Sequence, residues 1–122
     1  MLLQIETKKV DPDITVLELK GRVTLGRESS SLETLVKELR EADVRKLVFD
    51  MSAIDYVDSS GLGMLTFCFA TMKKSGGAFR IAAPNDRVRQ LLKFTHLDTI
   101  LPIDASAEES CQKLREAAAT GA

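Results

Sequence analysis

The sequence lacks any long apolar run: nothing in its 122 residues approaches the roughly 18 consecutive apolar positions that a membrane span needs. The opening MLLQIETKK also lacks the apolar core and small-residue cleavage site of a signal peptide. These absences point to a cytoplasmic protein with no membrane insertion. An excess of one charge is missing too. Lys and Arg number 17 against 18 Asp and Glu, a net charge of −1, so no basic surplus exists to neutralise the phosphates of a nucleic acid. Cysteine is scarce. Cys68 and Cys111 stand far apart and outside any CxxC pattern, which argues against a disulfide framework or a metal centre. Cys68, inside LTFCFA, reads as a buried reduced thiol. The single histidine, His96, has no second imidazole with which to share a metal. No P-loop, GxGxxG fingerprint or GxSxG elbow occurs, which removes the common nucleotide-binding and serine-hydrolase settings. The expectation is a protein that is not an enzyme and has no metal or cofactor, with weak nucleotide binding at most.

What is present is a single-domain pattern. Hydrophobic residues make up 44% of the chain, and a domain of this length buries roughly two-thirds of its unfolded surface. LLQIETKKV and ITVLELKG, joined by DPD, read as an opening hairpin in which Ile14, Val16, Leu17 and Leu19 turn one face to the core. SSSLETLVKELREAD carries Leu32, Leu35, Val36 and Leu39 at helical spacing, with Ser29 to Ser31 as candidate caps. KLVFDM is short and mostly apolar, with Leu47, Val48 and Phe49 in succession, as central strands covered on both faces are. A second helix runs through GLGMLTFCFATMKK to Gly76 and Gly77, with Leu62, Leu65, Phe69 and Met72 as its stripe. AFRIAAP, NDRVRQLLKFTHL, ILPID and SAEESCQKLREAAA follow as strand, helix, strand and helix, the last opened by a capping box of Ser106 and Glu109. The fold class is α/β: a mostly parallel or mixed sheet of four to five strands packed with about four α-helices. Residues 1–118 form the domain and 119–122 a short flexible tail.

In open sheets of this kind functional groups gather where strands end and helices begin, and DYVDSSGLG, Asp55 to Gly63, lies at such a point. Two glycines in a first helical turn cost about 0.8–1.0 kcal/mol each relative to Ala, so they need a reason other than helix formation. Asp58, Ser59 and Ser60 are good caps, and the first-turn amides carry partial positive charge that an added phosphate can use. Gly61 and Gly63 lack Cβ atoms, which allows a close backbone approach. Leu62 between them reads as an exposed apolar anchor, and Met64 and Phe67 fall beside the stripe, where a partner or a neighbouring helix covers them. The combination suits docking rather than catalysis.

LVFDMSAIDYVDSSGLGML, followed by KKSGGAFRIAAPNDRVRQLLKFTHLD, resembles the STAS domain family, and within it the bacterial anti-sigma factor antagonists. The resemblance spans nearly the whole chain. It implies a switch protein whose unphosphorylated form binds a serine kinase that is also an anti-sigma factor, freeing a sigma factor. Phosphorylation of the serine after the aspartate releases the antagonist, and a PP2C-type phosphatase resets it. Carried onto this sequence, the phosphoacceptor is Ser59, and the partner-binding residues are Asp58, Ser60, Gly61, Leu62, Gly63, Met64 and Thr24. Thr24 stands where the family usually has an acidic residue, and Thr95-His96 where Thr-Gly is usual. Histidine tolerates the left-handed backbone which that helix end commonly needs. STAS domains also serve as constitutive scaffold subunits of transporters and stress-signalling assemblies, and that is the alternative role the resemblance implies.

Overall fold

The computed structural model describes residues 3–24 and 26–119, with the backbone alone for 27–29 and 118–119. The expected hairpin is present: β1 (Gln4–Val10) and β2 (Ile14–Val23) pair antiparallel in a register that sets Val10 opposite Ile14. β3 (Lys46–Val57), β4 (Ala78–Ala82) and β5 (Ile103–Asp104) then add in parallel, giving the order β1-β2-β3-β4-β5. KLVFDM is therefore central, with Leu47, Val48, Phe49 and Met51 buried. Helices α1 (Arg27–Glu41), α2 (Ser59–Lys74), α3 (Asp86–Phe94) and α4 (Ala107–Ala119) complete the fold, with a 3-10 turn at Leu97–Thr99. Of the expected tail only Ala119, which closes α4, is described; 120–122 lie outside the described residues.

Apolar side chains fall into two clusters on opposite faces of the sheet. The larger joins Leu17, Leu19, Leu47 and Phe49 to Leu32 and Val36 of α1, Leu65 and Met72 of α2, and Val88 and Leu92 of α3. The smaller joins Ile14, Val16, Val48 and Ala82 to Cys111 and Leu114 of α4. This corrects the expectation that Ile14, Val16, Leu17 and Leu19 share one face: alternation sends the first pair to α4 and the other to α1 and α2, because β2 is interior and covered on both sides. The caps of α1 differ as well. The helix begins at Arg27 with Gly26 as N-cap and no side-chain cap bond, so Ser29 to Ser31 lie within its first turns. The α4 box forms with a shift: Ser106 Oγ accepts from Glu109 N–H at 3.1 Å, and Glu109 reaches back to Ala105 N–H at 3.0 Å rather than to the cap itself.

Asp104 ties β4, β5 and α4 together. Its carboxylate is fully buried and accepts from Arg80 Nε at 2.6 Å, Ser110 Oγ at 2.6 Å and Lys113 Nζ at 2.8 Å. Burial alone would raise its pKa, but hydrogen bonds from Arg80, Lys113 and Ser110 outweigh it and hold the carboxyl well below the usual carboxylate range. A folded pKa below the unfolded value gives stability that is present above the unfolded pKa of about 3.9 and is lost as pH falls below it. Asp104→Asn is thus expected to cost about 2–3 kcal/mol at neutral pH. Urea denaturation at a series of acid pH values should show the gap between mutant and wild type closing below about pH 4.

Candidate functional site

The site is built on the part of β3 that outruns its neighbour. Pairing with β4 ends at Asp50 opposite Ala82, whereas pairing with β2 continues to Val57 opposite Val23. The strand expected over KLVFDM therefore runs on through SAIDYV. The six residues of SAIDYV alternate poorly because only Ile54 and Val57 are buried. At its end Asp58 N–H donates to Val23 carbonyl oxygen at 3.2 Å. Asp58 is the N-cap of α2: its Oδ1 accepts from Gly61 N–H at 2.7 Å and its carbonyl from Leu62 N–H at 2.9 Å. Ser59 and Ser60 follow as the first two helical residues, both exposed. Their amides have no intrahelical carbonyl to meet. Lys73 and Lys74 lie in the last turn, at the macrodipole's negative end, where cations are favoured.

The two glycines have different reasons. A Cβ on Gly61 would lie 2.0 Å from Val23 carbonyl oxygen and 2.9 Å from Val57 Cγ1, whereas one on Gly63 meets nothing within 4 Å. Gly61 thus lets α2 start flush against the end of β2, and the close approach it permits is internal to the domain. Gly63 is open on the surface. Leu62 and Met64 are 6% and 4% exposed, which corrects the expectation of Leu62 as an exposed anchor and settles Met64 as a packed side chain. The buried stripe of α2 runs through Gly61, Leu65, Cys68 and Met72, with Phe69 only partly covered. Phe67 is half-buried, with Lys37 Nζ 5.2 Å from its ring centroid. Thr24, half-buried, follows Val23 and so stands beside this turn.

Sequence reasoning missed the contribution of α3. Asn85 caps it, accepting from Val88 N–H at 2.8 Å, and its Nδ2 donates to Ile54 carbonyl oxygen at 3.1 Å. That bond draws the start of α3 to the overhanging end of β3. Between them lies an open groove of about 550 Å³, lined by Tyr56, Asp58 and Ser59 on one side and Arg87, Leu91 and Phe94 on the other. Phe94 is 85% exposed and Tyr56 42%. The signal was available: Arg87, Leu91 and Phe94 recur at helical spacing beside the Val88 and Leu92 stripe. His96 ends this region with φ 62°, the left-handed conformation expected of it.

Cys68 is buried, and burial pushes its thiol up to about 12, so it stays protonated and unreactive. Cys111 is likewise free and raised by burial. No group of three or more His, Cys, Asp and Glu side chains is placed to hold a metal ion among the described residues. No helix among them is long and apolar enough to cross a membrane.

A capped helix start in a five-stranded mixed sheet with four helices is the α/β arrangement the motif implied, and the STAS domain family model matches residues 5–110. The chain belongs to the STAS domain family. The anti-sigma-B factor antagonist of Bacillus subtilis is 30% identical over 113 residues, covering 92% of this chain and 100% of that protein. The crystal structure of a candidate anti-sigma factor antagonist from Thermotoga maritima is 25% identical with a TM-score of 0.82, covering 91% of this STAS domain and 94% of that chain. The Bacillus cell fate determinant SpoIIAA in its phosphorylated form shares the fold at 17% identity, with a TM-score of 0.72 over 91% of this chain and 99% of that one.

Proposed function

We propose that this STAS domain is an anti-sigma factor antagonist and not an enzyme. Its unphosphorylated form binds a serine kinase that doubles as an anti-sigma factor, phosphorylation at Ser59 releases it, and a PP2C-type phosphatase returns it to the binding state. The relatives named anti-sigma factor antagonists support the role. One observation on this chain supports the site: Ser59 is exposed on the first turn of α2, one turn before an open Gly63. On this reading the partner covers Ser59, Ser60 and Gly63, approached by Thr24, while Asp58, Gly61, Leu62 and Met64 hold that surface in shape from within. The reading requires no cofactor of this chain.

Capture from a lysate of the source organism with ATP present tests the proposal. Wild type is expected to retain a small ATP-binding serine kinase and to acquire phosphate at Ser59, mapped by peptide mass spectrometry and abolished in Ser59→Ala. If wild type and Ser59→Asp instead retain the same transporter or scaffold subunits, the domain is a constitutive assembly module.

The groove between Tyr56 and Phe94 extends the same surface. Phe94→Ser removes an apolar side chain that is mostly exposed in the free domain, so stability should change by no more than about 0.5 kcal/mol. Burying such a ring on binding is worth about 1.5–3 kcal/mol, so affinity for the kinase should fall about tenfold or more. Calorimetric titration of the purified pair checks this.

A further inference from the structure

β1 is an edge strand whose seven residues pair with β2 in an unbroken register, and among the described residues no strand pairs with its other side. Such an edge presents a row of outward N–H and C=O groups as a template for another strand. The side chains of Gln4, Glu6, Thr7, Lys8 and Lys9 are exposed along it.

The charges on this sheet face are ill-matched within one copy. Glu6 stands directly opposite Glu18, and Glu18 opposite Asp50 of β3. Three carboxylates thus occupy one row across three adjacent strands, and like charges set opposite each other destabilise a pairing. Lys8 Nζ reaches Glu18 Oε2 at 3.1 Å, whereas Glu6, at the outer end of the row, has no cation bridged to it among the described residues.

We infer that this edge pairs with the same edge of a second copy, antiparallel about a two-fold axis at Thr7. Thr7 is the middle of Gln4–Val10, so this register alone overlaps the whole strand. Gln4 then faces the partner's Val10, Ile5 the partner's Lys9, Glu6 the partner's Lys8, and Thr7 the partner's Thr7. Two Glu6–Lys8 pairs form, and each sets a cation beside the exposed end of a carboxylate row. Moving the axis to Glu6 would oppose glutamate to glutamate, and moving it to Lys8 would oppose lysine to lysine. Full overlap and charge complementarity therefore select the same register. The two-fold uses both β1 edges, and the opposite edge, β5, is only two residues long, so assembly closes at the dimer rather than growing into a fibre.

Sedimentation over a concentration series tests this with the full chain and two variants, whose folds are first checked by circular dichroism. Wild type is expected to pass from monomer to dimer with rising concentration. Glu6→Lys and Lys8→Glu each set like charges opposite one another twice, and each should raise the dissociation constant about tenfold or more. An equimolar mixture of the two variants sets opposite charges at both positions, and it should dimerise at least as tightly as wild type. A wild type that stays monomeric at every concentration, a dimer indifferent to both substitutions, or a mixture no tighter than either variant alone would each overturn the inference.

Discussion

Ser59→Asp is expected to leave the domain folded and to weaken binding of the partner kinase more than a hundredfold. The two halves of that result have separate causes. Ser59 occupies the first turn of α2, where the first amides lack intrahelical partners and the macrodipole favours negative charge. An added carboxylate there stabilises by about 0.3–1 kcal/mol or is neutral, and a phosphate carrying about −1.5 to −2 charges is tolerated for the same reason. The docked state reverses the sign. A partner lying close over Ser59, Ser60 and Gly63 would bury the new charge beside Asp58, whose Oδ1 is already committed to Gly61 N–H at 2.7 Å. Repulsion and desolvation totalling about 3 kcal/mol lower affinity more than a hundredfold, since each 1.4 kcal/mol is a factor of ten. Thermal denaturation and titration of the same preparation separate the two halves. Undiminished binding by the folded mutant would remove Ser59 from the role of switch.

The sequence carried the order of elements because each had its own local marker: DPD for the hairpin, Gly76 at φ 78° and Gly77 after the lysines for the end of α2, and Ser106 for α4. The central place of KLVFDM followed from the consecutive apolar residues Leu47, Val48 and Phe49, which a strand covered on both faces can use. Two features were not legible, both because they depend on what lies across the sheet. The extension of β3 through SAIDYV is one, since only β2 pairs with it and a strand buried on so little of its surface has no clear alternation. The α3 wall of the groove depends on Asn85 reaching Ile54, a contact between residues 31 apart that no local pattern encodes. At the site itself, residue types in DSSGLG identified a helix start built for close approach, but not which approach was internal. Gly61 and Gly63 are indistinguishable by composition and differ only in facing Val23 or open space.

That difference yields the second large effect, a pair of glycine substitutions with opposite signs. Both positions lie inside α2, and neither has a positive φ, so alanine at each gains the helix propensity that glycine forgoes, about 0.8–1.0 kcal/mol. At Gly63 nothing offsets this gain, because the new methyl meets no atom within 4 Å. Gly63→Ala should therefore stabilise the free domain by about 0.5–1 kcal/mol. The same methyl projects toward the proposed partner, so affinity for the kinase should fall although the fold is firmer. At Gly61 the methyl would lie 2.0 Å from Val23 carbonyl oxygen and 2.8 Å from its carbonyl carbon. Neither is the flexible end of a side chain. Val23 is held in the β2–β3 ladder opposite Val57, and its carbonyl oxygen accepts from Asp58 N–H, so the clash is relieved only by lifting the start of α2 off the sheet. Overpacking of this kind costs about 1–3 kcal/mol and occasionally more. With backbone as the obstacle and a cap bond strained as well, a net loss of about 3 kcal/mol is expected, or roughly 10 °C in Tm for a domain of this size. Urea denaturation of the two variants beside wild type checks the signs directly. Equal stability of Gly61→Ala and Gly63→Ala would mean that α2 does not sit against Val23 as described, and the surface proposed for the kinase would have to be redrawn with it.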